Sequence, residues 1–120
     1  MHSLNTETGE ILWSTITDKE CKEIDTNCDP GISAAVTAVP GAVIAGHLDG
    51  MIRVYDKNNG DILWSFNSLG EYDSISGTPA SGGSFSGSGP SVRNGFMAIN
   101  SGYGIYNHMP GNALLLFSIE

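Results

Sequence analysis

Two stretches of the chain are near copies of each other: LNTETGEILWS at residues 4–14 and YDKNNGDILWS at residues 55–65. In both copies a glycine precedes a tryptophan by four residues, and each recurs after 51 positions, as Gly9 and Gly60, and as Trp13 and Trp64. A fixed period of this size is typical of repeat architectures, in which each repeat is one supersecondary unit. The repeat therefore constrains the fold more than any other feature of the chain.

Each copy of the repeat predicts a strand, a tight turn and a return strand. Residues 51–55 alternate and are rich in β-branched and aromatic side chains, as in a half-buried strand. Residues 56–60 predict the turn, because Asn and Asp tolerate left-handed backbone angles and Gly adopts them without steric cost. Residues 62–66 form the return strand, and residues 33–39 and 42–45 predict two further strands upstream. Four short antiparallel strands thus fill about one period.

Four-stranded units repeated at roughly 40–50 residues are typical of β-propeller blades. In such a fold, a large ring near the end of an outer strand packs between neighbouring blades while its N–H reaches a backbone carbonyl. We predict this role for Trp13 and Trp64, with Gly9 and Gly60 in the adjoining turns. The alternative is a sandwich with ordinary core tryptophans. The shared string favours the propeller, because it fixes turn and tryptophan together.

The chain, residues 1–120, is predicted to be a single propeller fragment. Residues 4–15 end a preceding blade, residues 33–67 form a full blade, and residues 84–119 form a last blade without its outer strand. A closed propeller takes roughly 4–8 blades. We therefore expect a C-terminal piece of a longer propeller, completed by the rest of that propeller or by other copies of this chain. In the second case, residues 10–15 would supply the outer strand.

The last blade is degenerate. Its predicted strands are residues 88–92, 96–99 and 114–119, and Phe117 takes the place that Tyr55 has in the full blade.

Composition excludes some classes of partner. Thirteen acidic against five basic residues give a net charge of −8, which argues against a nucleic-acid partner. The chain has no run of about 18 apolar residues, so no membrane span is predicted.

Cys21 and Cys28 flank a polar loop with no cluster of further metal ligands, and no metal site is predicted. This favours a local disulfide in an oxidising compartment, with free thiols as the alternative. The three histidines, His2, His47 and His108, are predicted to be surface or turn residues.

The repeated string resembles the tryptophan-docking repeat of propeller proteins that use pyrroloquinoline quinone (PQQ). Residues 31–50 and 82–90 resemble the penultimate blade of the polyvinyl-alcohol-dehydrogenase-like quinoproteins. Residues 100–104 and 109–118 resemble the C-terminus of that group, which also places a cysteine pair where this chain has one. The glycine-rich strings are the more specific part, because a generic blade does not need them.

The resemblance implies a propeller of about eight blades, secreted or periplasmic, with PQQ and calcium on the blade axis. An alcohol would be oxidised to a carbonyl with quinone reduction, a carboxylate would act as base, and a cytochrome c would accept the electrons. The fragment alone is expected to be inactive, because the axis site needs other blades. The alternatives are a non-catalytic PQQ-like propeller that acts as an interaction scaffold, and a propeller whose cofactor site has decayed.

Candidate cofactor contacts lie in the glycine-rich connection, residues 74–88, and on the innermost strands. The connection is rich in N–H and hydroxyl groups, which would wrap an anionic cofactor through donors rather than charge. A surface loop is the alternative. The residues predicted to bind cofactor are Ser76, Thr78 and Ser84. Ser81 stands where relatives in this group carry a basic residue. No catalytic residue is assigned, although Asp73 is a candidate for a carboxylate that faces the axis.

Overall fold

The computed structural model describes residues 1–18, 20, 27–104 and 106–119. Every regular element in these residues is a β-strand, and none is a helix that could cross a membrane. The strands are β1 (His2–Leu4), β2 (Ile11–Ser14), β3 (Thr37–Val39), β4 (Ala42–Gly46), β5 (Met51–Asp56), β6 (Ile62–Asn67), β7 (Glu71–Asp73), β8 (Pro79–Ser81), β9 (Ser91–Arg93), β10 (Phe96–Ser101) and β11 (Ala113–Ser118).

The full blade is a four-stranded antiparallel sheet in the order β3-β4-β5-β6. Its turns follow the predicted chemistry, since Gly41 and Gly60 adopt positive φ angles of 86° and 77°. The innermost strand is shorter than predicted and begins at Thr37. The preceding residues leave the sheet, and the carbonyl of Ala35 packs against Gly89.

Two partial sheets flank the full blade. On one side β1 pairs with β2, and on the other a three-stranded sheet has the order β11-β10-β9. In the latter, Met97 faces Phe117 across the strands as Val43 faces Tyr55 in the full blade. The two sheets therefore share the same register between these strands. The described chain is all-β, with antiparallel sheets that do not close into a barrel, as predicted for part of a propeller.

The core lies between the full blade and the last sheet. Ile44 and Ile52 project from one face of the full blade because side chains alternate along a strand. They pack with Ile99 from the last sheet and with Phe85, which is 1% exposed. Burial of each such side chain stabilises the fold by roughly 1.5–3 kcal/mol. Phe85 comes from the glycine-rich connection, which therefore contributes to the core as well as linking the sheets.

A hairpin of β7 and β8 occupies part of that connection and is a structural element that the sequence reasoning missed. Its turn is closed by a hydrogen bond from the Gly77 N–H to the carbonyl of Ser74, and Gly77 has a φ of 75°. The strands have three residues each, which is too short for a recognisable alternation of apolar and polar residues.

The structure places Trp13 at the joint between the first hairpin and the full blade. Its Nε1–H donates to the carbonyl of Lys57 over 2.9 Å, and its ring fills the space that a Cβ at Gly60 would occupy. Thr15 completes the contact through a hydrogen bond of 2.6 Å from Oγ1 to the carbonyl of Gly60. Trp64 holds the same position in β6, one repeat later.

Candidate functional site

Three connections meet at one end of the sheets, which we call the loop end. They are residues 47–50, 68–90 and 102–112, which join β4 to β5, β6 to β9 and β10 to β11. Antiparallel pairing brings them to the same end, because each connection follows a strand that runs toward this end and precedes a strand that runs away from it. Binding and catalytic residues are most often carried by such loops on a rigid scaffold. The loop end is therefore the candidate site.

Ser84 ties the three connections together. Its side chain is buried, and its Oγ donates to the carbonyl of Leu48 over 2.5 Å while accepting the N–H of Met109 over 3.0 Å. Its own carbonyl accepts the N–H of Gly102. Of the three predicted cofactor contacts, Ser84 is thus already engaged in holding the loop end together. Contact with a cofactor stays a prediction for this residue.

A pair of buried serines performs a similar task and was missed from the sequence. The Oγ atoms of Ser68 and Ser101 lie 2.8 Å apart, and Ser68 donates to the carbonyl of Gly50. Ser101 accepts the N–H of Gly83 over 2.9 Å. Gly83 itself has no room for a Cβ, because the carbonyls of residues 109 and 110 lie against it. The glycine here serves close packing between loops.

In the glycine-rich segment at residues 82–89, the first N–H groups donate to carbonyls of the chain itself. Gly82 donates to the carbonyl of Gly70, and the N–H groups of Ser84 and Phe85 donate to the carbonyls of Met109 and His47. In the described chain, the N–H groups of the next residues, 86–89, have no acceptor. Within the segment predicted to wrap a cofactor through donors, residues 74–88, the N–H groups of residues 86–88 therefore remain free, as do those of residues 74–76 in the hairpin turn.

Ser76 and Thr78 lie in the turn of the β7–β8 hairpin, where both are exposed. The Oγ atoms of Ser74 and Ser76 are 2.8 Å apart, and Ser74 donates to the carbonyl of Thr78 over 2.6 Å. The structure does not bring these two residues together with buried Ser84. They line instead an open cleft of about 740 Å³ beside the hairpin, together with exposed Asp73.

The innermost strands define this chain's share of the propeller axis. β3 and β9 are neighbours, and Thr37 Oγ1 donates to the carbonyl of Pro90 over 2.5 Å. The residues that lead into them at the loop end carry only small or neutral side chains, and the exposed ones are Ser33, Ala35, Val36, Gly87 and Ser88. This surface offers hydroxyl and N–H groups and no charged side chain.

Two polar atoms beside that surface are buried without a partner among the described residues: Ser86 Oγ and His108 Nδ1. Gly104 lies between them, since a Cβ there would contact Ser86 Oγ and would lie 3.5 Å from the Cβ of His108. A buried polar atom without a hydrogen bond costs about 1–3 kcal/mol. The pair therefore marks a place where a water molecule or another polar group would be favourable.

His47 opens the β4–β5 turn, as one of its two predicted placements has it, but it is buried and is not a surface residue. Its Nδ1 lies 2.8 Å from the carbonyl of Pro30, and its Nε2 lies 2.9 Å from the hydroxyl of Tyr55. Nδ1 therefore carries the proton, and Nε2 accepts from Tyr55. Burial lowers the pKa of His47, and the charge of Arg53 lowers it further. Burial likewise raises the pKa of the Tyr55 hydroxyl.

Asp49 and Arg53 form a bidentate ion pair next to this histidine. The two contacts measure 2.8 and 3.2 Å, and the side chains are 0% and 3% exposed. Asp49 also accepts the N–H groups of Met51 and Glu20. The sequence signal that could have revealed the pair is a charged residue in a strand that otherwise reads as half-buried. The network joins the β4–β5 turn to β5 and to the segment at Pro30.

The described residues contain no group of three or more His, Cys, Asp or Glu side chains that could hold a metal ion. The turn at residues 56–61 uses its acidic side chains on itself: Asp56 Oδ1 accepts the N–H of Asn58, and Asp61 Oδ2 accepts from Asn59 Nδ2. The predicted disulfide involves Cys21, which lies outside the described residues, so the pairing with Cys28 stays a prediction.

No protein-family model matches the chain. Curated relatives include a polyvinylalcohol dehydrogenase of Pseudomonas sp, which is 32% identical over 130 residues that cover 100% of this chain and 20% of that protein. A polyvinylalcohol dehydrogenase of Sphingopyxis sp. (strain 113P3) is 30% identical over 130 residues that cover 98% of this chain and 20% of that protein. The chain thus spans about 20% of the length of these relatives.

The similarity includes the repeat, the glycine-rich connection and the loops around Ser84, since it extends over essentially the whole chain. It agrees with the resemblance found in the glycine-rich strings. Over essentially its whole length, the chain is therefore similar to part of these polyvinylalcohol dehydrogenases.

Proposed function

We propose that this chain is part of the propeller of a PQQ-dependent alcohol dehydrogenase of the polyvinyl-alcohol type. The observation that carries the proposal is the similarity of essentially the whole chain to two proteins named polyvinylalcohol dehydrogenase. PQQ, when bound, supplies the oxidant that takes a hydride equivalent from the alcohol and leaves a carbonyl. Residues 1–120 alone are expected to have no dehydrogenase activity, because they supply only a sector of an axial site.

The described residues fit a hydrogen-bonding role toward such a cofactor. The groups that would hold it are the free N–H groups of residues 86–89, the exposed hydroxyls of Ser33 and Ser88, and Ser86 Oγ, which is buried without a partner. Successive N–H donors that converge on one place favour an anion without the desolvation cost of a buried lysine or arginine. This sector would orient the carboxylates and carbonyls of the cofactor.

Calcium and the catalytic base are proposed to be held by other parts of the full protein. Among the described residues no acidic cluster exists, and the surface near β3 and β9 carries no carboxylate. Asp73 lies on the β7–β8 hairpin and not on an innermost strand. The same proposal includes a periplasmic or secreted location and a cytochrome c as electron acceptor, both by family resemblance.

The test uses the full protein in which these residues occur, loaded with PQQ and calcium and supplied with a redox dye and an alcohol. The proposal expects dye reduction that depends on both alcohol and PQQ. Loading with calcium alone is the control. A folded protein that binds no quinone under these conditions would contradict the proposal.

A second candidate function is a non-catalytic propeller that acts as an interaction scaffold. The neutral axial surface favours it, as does the internal use of the N–H groups of residues 82–85. The two functions differ in one measurement: a scaffold folds without PQQ, and added PQQ leaves its unfolding temperature unchanged. A dehydrogenase is stabilised by its ligand, by an amount that grows with the logarithm of one plus the ratio of ligand concentration to Kd.

A further inference from the structure

Two segments of the chain form the axial surface of this sector, and neither is a strand. Residues 32–36 lead into β3, and residues 86–89 lead into β9, and we call them the axial leads. They carry Ser33 and the free N–H groups that are proposed to hold the cofactor. Because they lie outside the sheets, ladder hydrogen bonds do not fix the distance between them. Other contacts therefore set the spacing of the site.

One clamp joins the axial leads where they enter the strands. The carbonyl of Ala35 lies against Gly89 and leaves no room there for a Cβ. Just beyond this contact, Thr37 Oγ1 donates to the carbonyl of Pro90. Only glycine allows so close an approach of two backbones, because any side chain would push the leads apart. These contacts hold one end of the two leads together.

The β4–β5 turn, residues 47–50, is a second clamp at the other end of the leads. The N–H of Leu48 donates to the carbonyl of Gly31 over 2.9 Å, just before the first lead. The carbonyl of His47 accepts the N–H of Phe85 over 3.1 Å. The carbonyl of Leu48 accepts the hydroxyl of Ser84 over 2.5 Å. One turn thus contacts the chain immediately before both leads.

The side chain of His47 adds a contact to the first lead. Its Nδ1–H donates to the carbonyl of Pro30 over 2.8 Å, and its Nε2 accepts the hydroxyl of Tyr55 over 2.9 Å. The side chains of His47 and Tyr55 are 1% and 0% exposed. Residues of this chain enclose these groups, so the contacts do not depend on other parts of the full protein. The ring is held at both nitrogens, and Nδ1 is the one that contacts the segment leading to Ser33.

We propose that the β4–β5 turn sets the spacing of the axial leads and that His47 is its positioning residue. The Nδ1–H of His47 holds Pro30, and thereby Ser33, at the distance from residues 86–89 that lets one ligand contact both leads. Binding sites depend on such supporting contacts, because a site that is assembled before binding loses less entropy when the ligand arrives. The inference rests on the proposed function, in which PQQ is the ligand of this surface.

Two conservative variants separate the roles of the two ring nitrogens. In His47→Asn, the amide nitrogen takes the place of Nδ1 and donates to Pro30, but nothing accepts from Tyr55. In His47→Gln, the longer side chain places its oxygen where Nε2 was and accepts from Tyr55, but nothing donates to Pro30. Each variant leaves one buried group without a partner, so the two should lose similar stability. A difference between them at the axial leads therefore reports the contact to Pro30 and not the stability of the fold.

The first measurement is hydrogen exchange in the full protein without cofactor, followed by mass spectrometry. The Leu48 N–H should exchange at least about threefold faster in His47→Gln than in the wild type, because the first lead moves away from the turn. In His47→Asn the rate should stay within about twofold of the wild-type rate. The N–H of Gly60, which donates to Asp56 in a separate turn, is the internal control and should not change.

The second measurement is the Kd of PQQ for the same proteins, from quenching of tryptophan fluorescence. His47→Gln should weaken binding by about 2–10-fold, which is the loss equivalent to one hydrogen bond, and His47→Asn should retain the wild-type Kd. Tyr103→Phe is the matched control, since it removes a hydroxyl that donates to the carbonyl of Asn112 over 2.7 Å, outside both leads. It should leave the Kd unchanged. Circular dichroism shows that each variant is folded.

Equal exchange rates and equal Kd values in the two His47 variants overturn the proposal. If His47→Gln does not fold, Ser84→Ala takes its place, because it frees the second lead from the carbonyl of Leu48 and should speed exchange of the Phe85 N–H. An unchanged exchange rate in that variant also overturns the proposal. A wild type that binds no PQQ contradicts the proposed function, whereas the exchange rates still decide whether the turn holds the leads.

Discussion

The two faces of the full blade are held by different chemistry. The face toward the last sheet is apolar, with Ile44, Ile52 and Phe85 in one cluster. The face toward the N-terminal hairpin carries the Asp49–Arg53 ion pair and His47. Apolar packing tolerates changes in shape, whereas a buried ion pair is costly unless both partners are present. The polar face should therefore be the more sensitive one to a single substitution and to pH.

Arg53→Ala is expected to have the largest effect. It leaves the Asp49 carboxylate buried with only backbone N–H partners, which should lower the free energy of unfolding by about 3–5 kcal/mol. Urea unfolding followed by circular dichroism measures this. Replacing both residues by Leu and Met is the matched control, because removing the whole pair is neutral or stabilising. A single variant as stable as the double variant would remove the distinction between the faces.

Ile52→Ala probes the apolar face and should cost about 2–4 kcal/mol, since Ile52 is 0% exposed and its truncation leaves a cavity. The measurement is again the urea midpoint. Ile75→Ala, at a fully exposed position, should change stability by less than about 0.5 kcal/mol. Equal losses at both positions would show that the cluster is not packed as described.

Acid should lower the stability of the fold through His47, which lies on the polar face. Because burial lowers the pKa of His47 in the folded state, protons bind the unfolded chain more readily once the pH falls below about 6.5. The contribution of neutral His47 is present above that pH and is lost as the pH falls toward the folded pKa. Thermal unfolding between pH 7.5 and 5.5 should show the decline in the wild type, and His47→Gln should reduce it. A decline of the same size in both would place its cause elsewhere.

Trp13→Phe should have the smallest effect. The phenyl ring still covers Gly60, but the hydrogen bond to the Lys57 carbonyl is lost, which costs about 0.5–1.5 kcal/mol. Trp64→Phe is the matched control, because no acceptor for the Nε1–H of Trp64 is found among the described residues and no hydrogen bond is lost. Urea midpoints compare the two variants. Equal losses would mean that the Trp13 hydrogen bond adds nothing.

The sequence predicts the repeat well because each part of it is local. Asn, Asp and Gly determine the turn at residues 56–60, and alternation determines β5 and β6. The family also followed from strings that a generic blade does not need. What the sequence could not predict depends on contacts between distant segments. Phe85 enters the core from a glycine-rich loop, and Ser68 meets Ser101 across 33 positions, with no local pattern in either case.

The surroundings of the predicted site residues could not be predicted from the sequence for the same reason. Ser84 was chosen for its hydroxyl, but its environment depends on Leu48 and Met109, which are far away in the chain. Ser76 and Thr78 lie on a hairpin whose strands are too short to recognise. No sequence pattern distinguishes Ser86 and His108, because a missing hydrogen-bond partner is visible only in three dimensions.

The most direct test of the proposed function is equilibrium binding of PQQ to the full protein in which these residues occur, followed by quenching of tryptophan fluorescence. The account predicts saturable binding, at least about tenfold weaker in Ser86→Val, which removes the hydroxyl, and unchanged in Ser76→Ala on the hairpin. If PQQ binding is saturable but Ser86→Val leaves its affinity unchanged, the proposal that residues 86–89 hold the cofactor is wrong. The absence of binding to a folded protein would contradict the account as a whole.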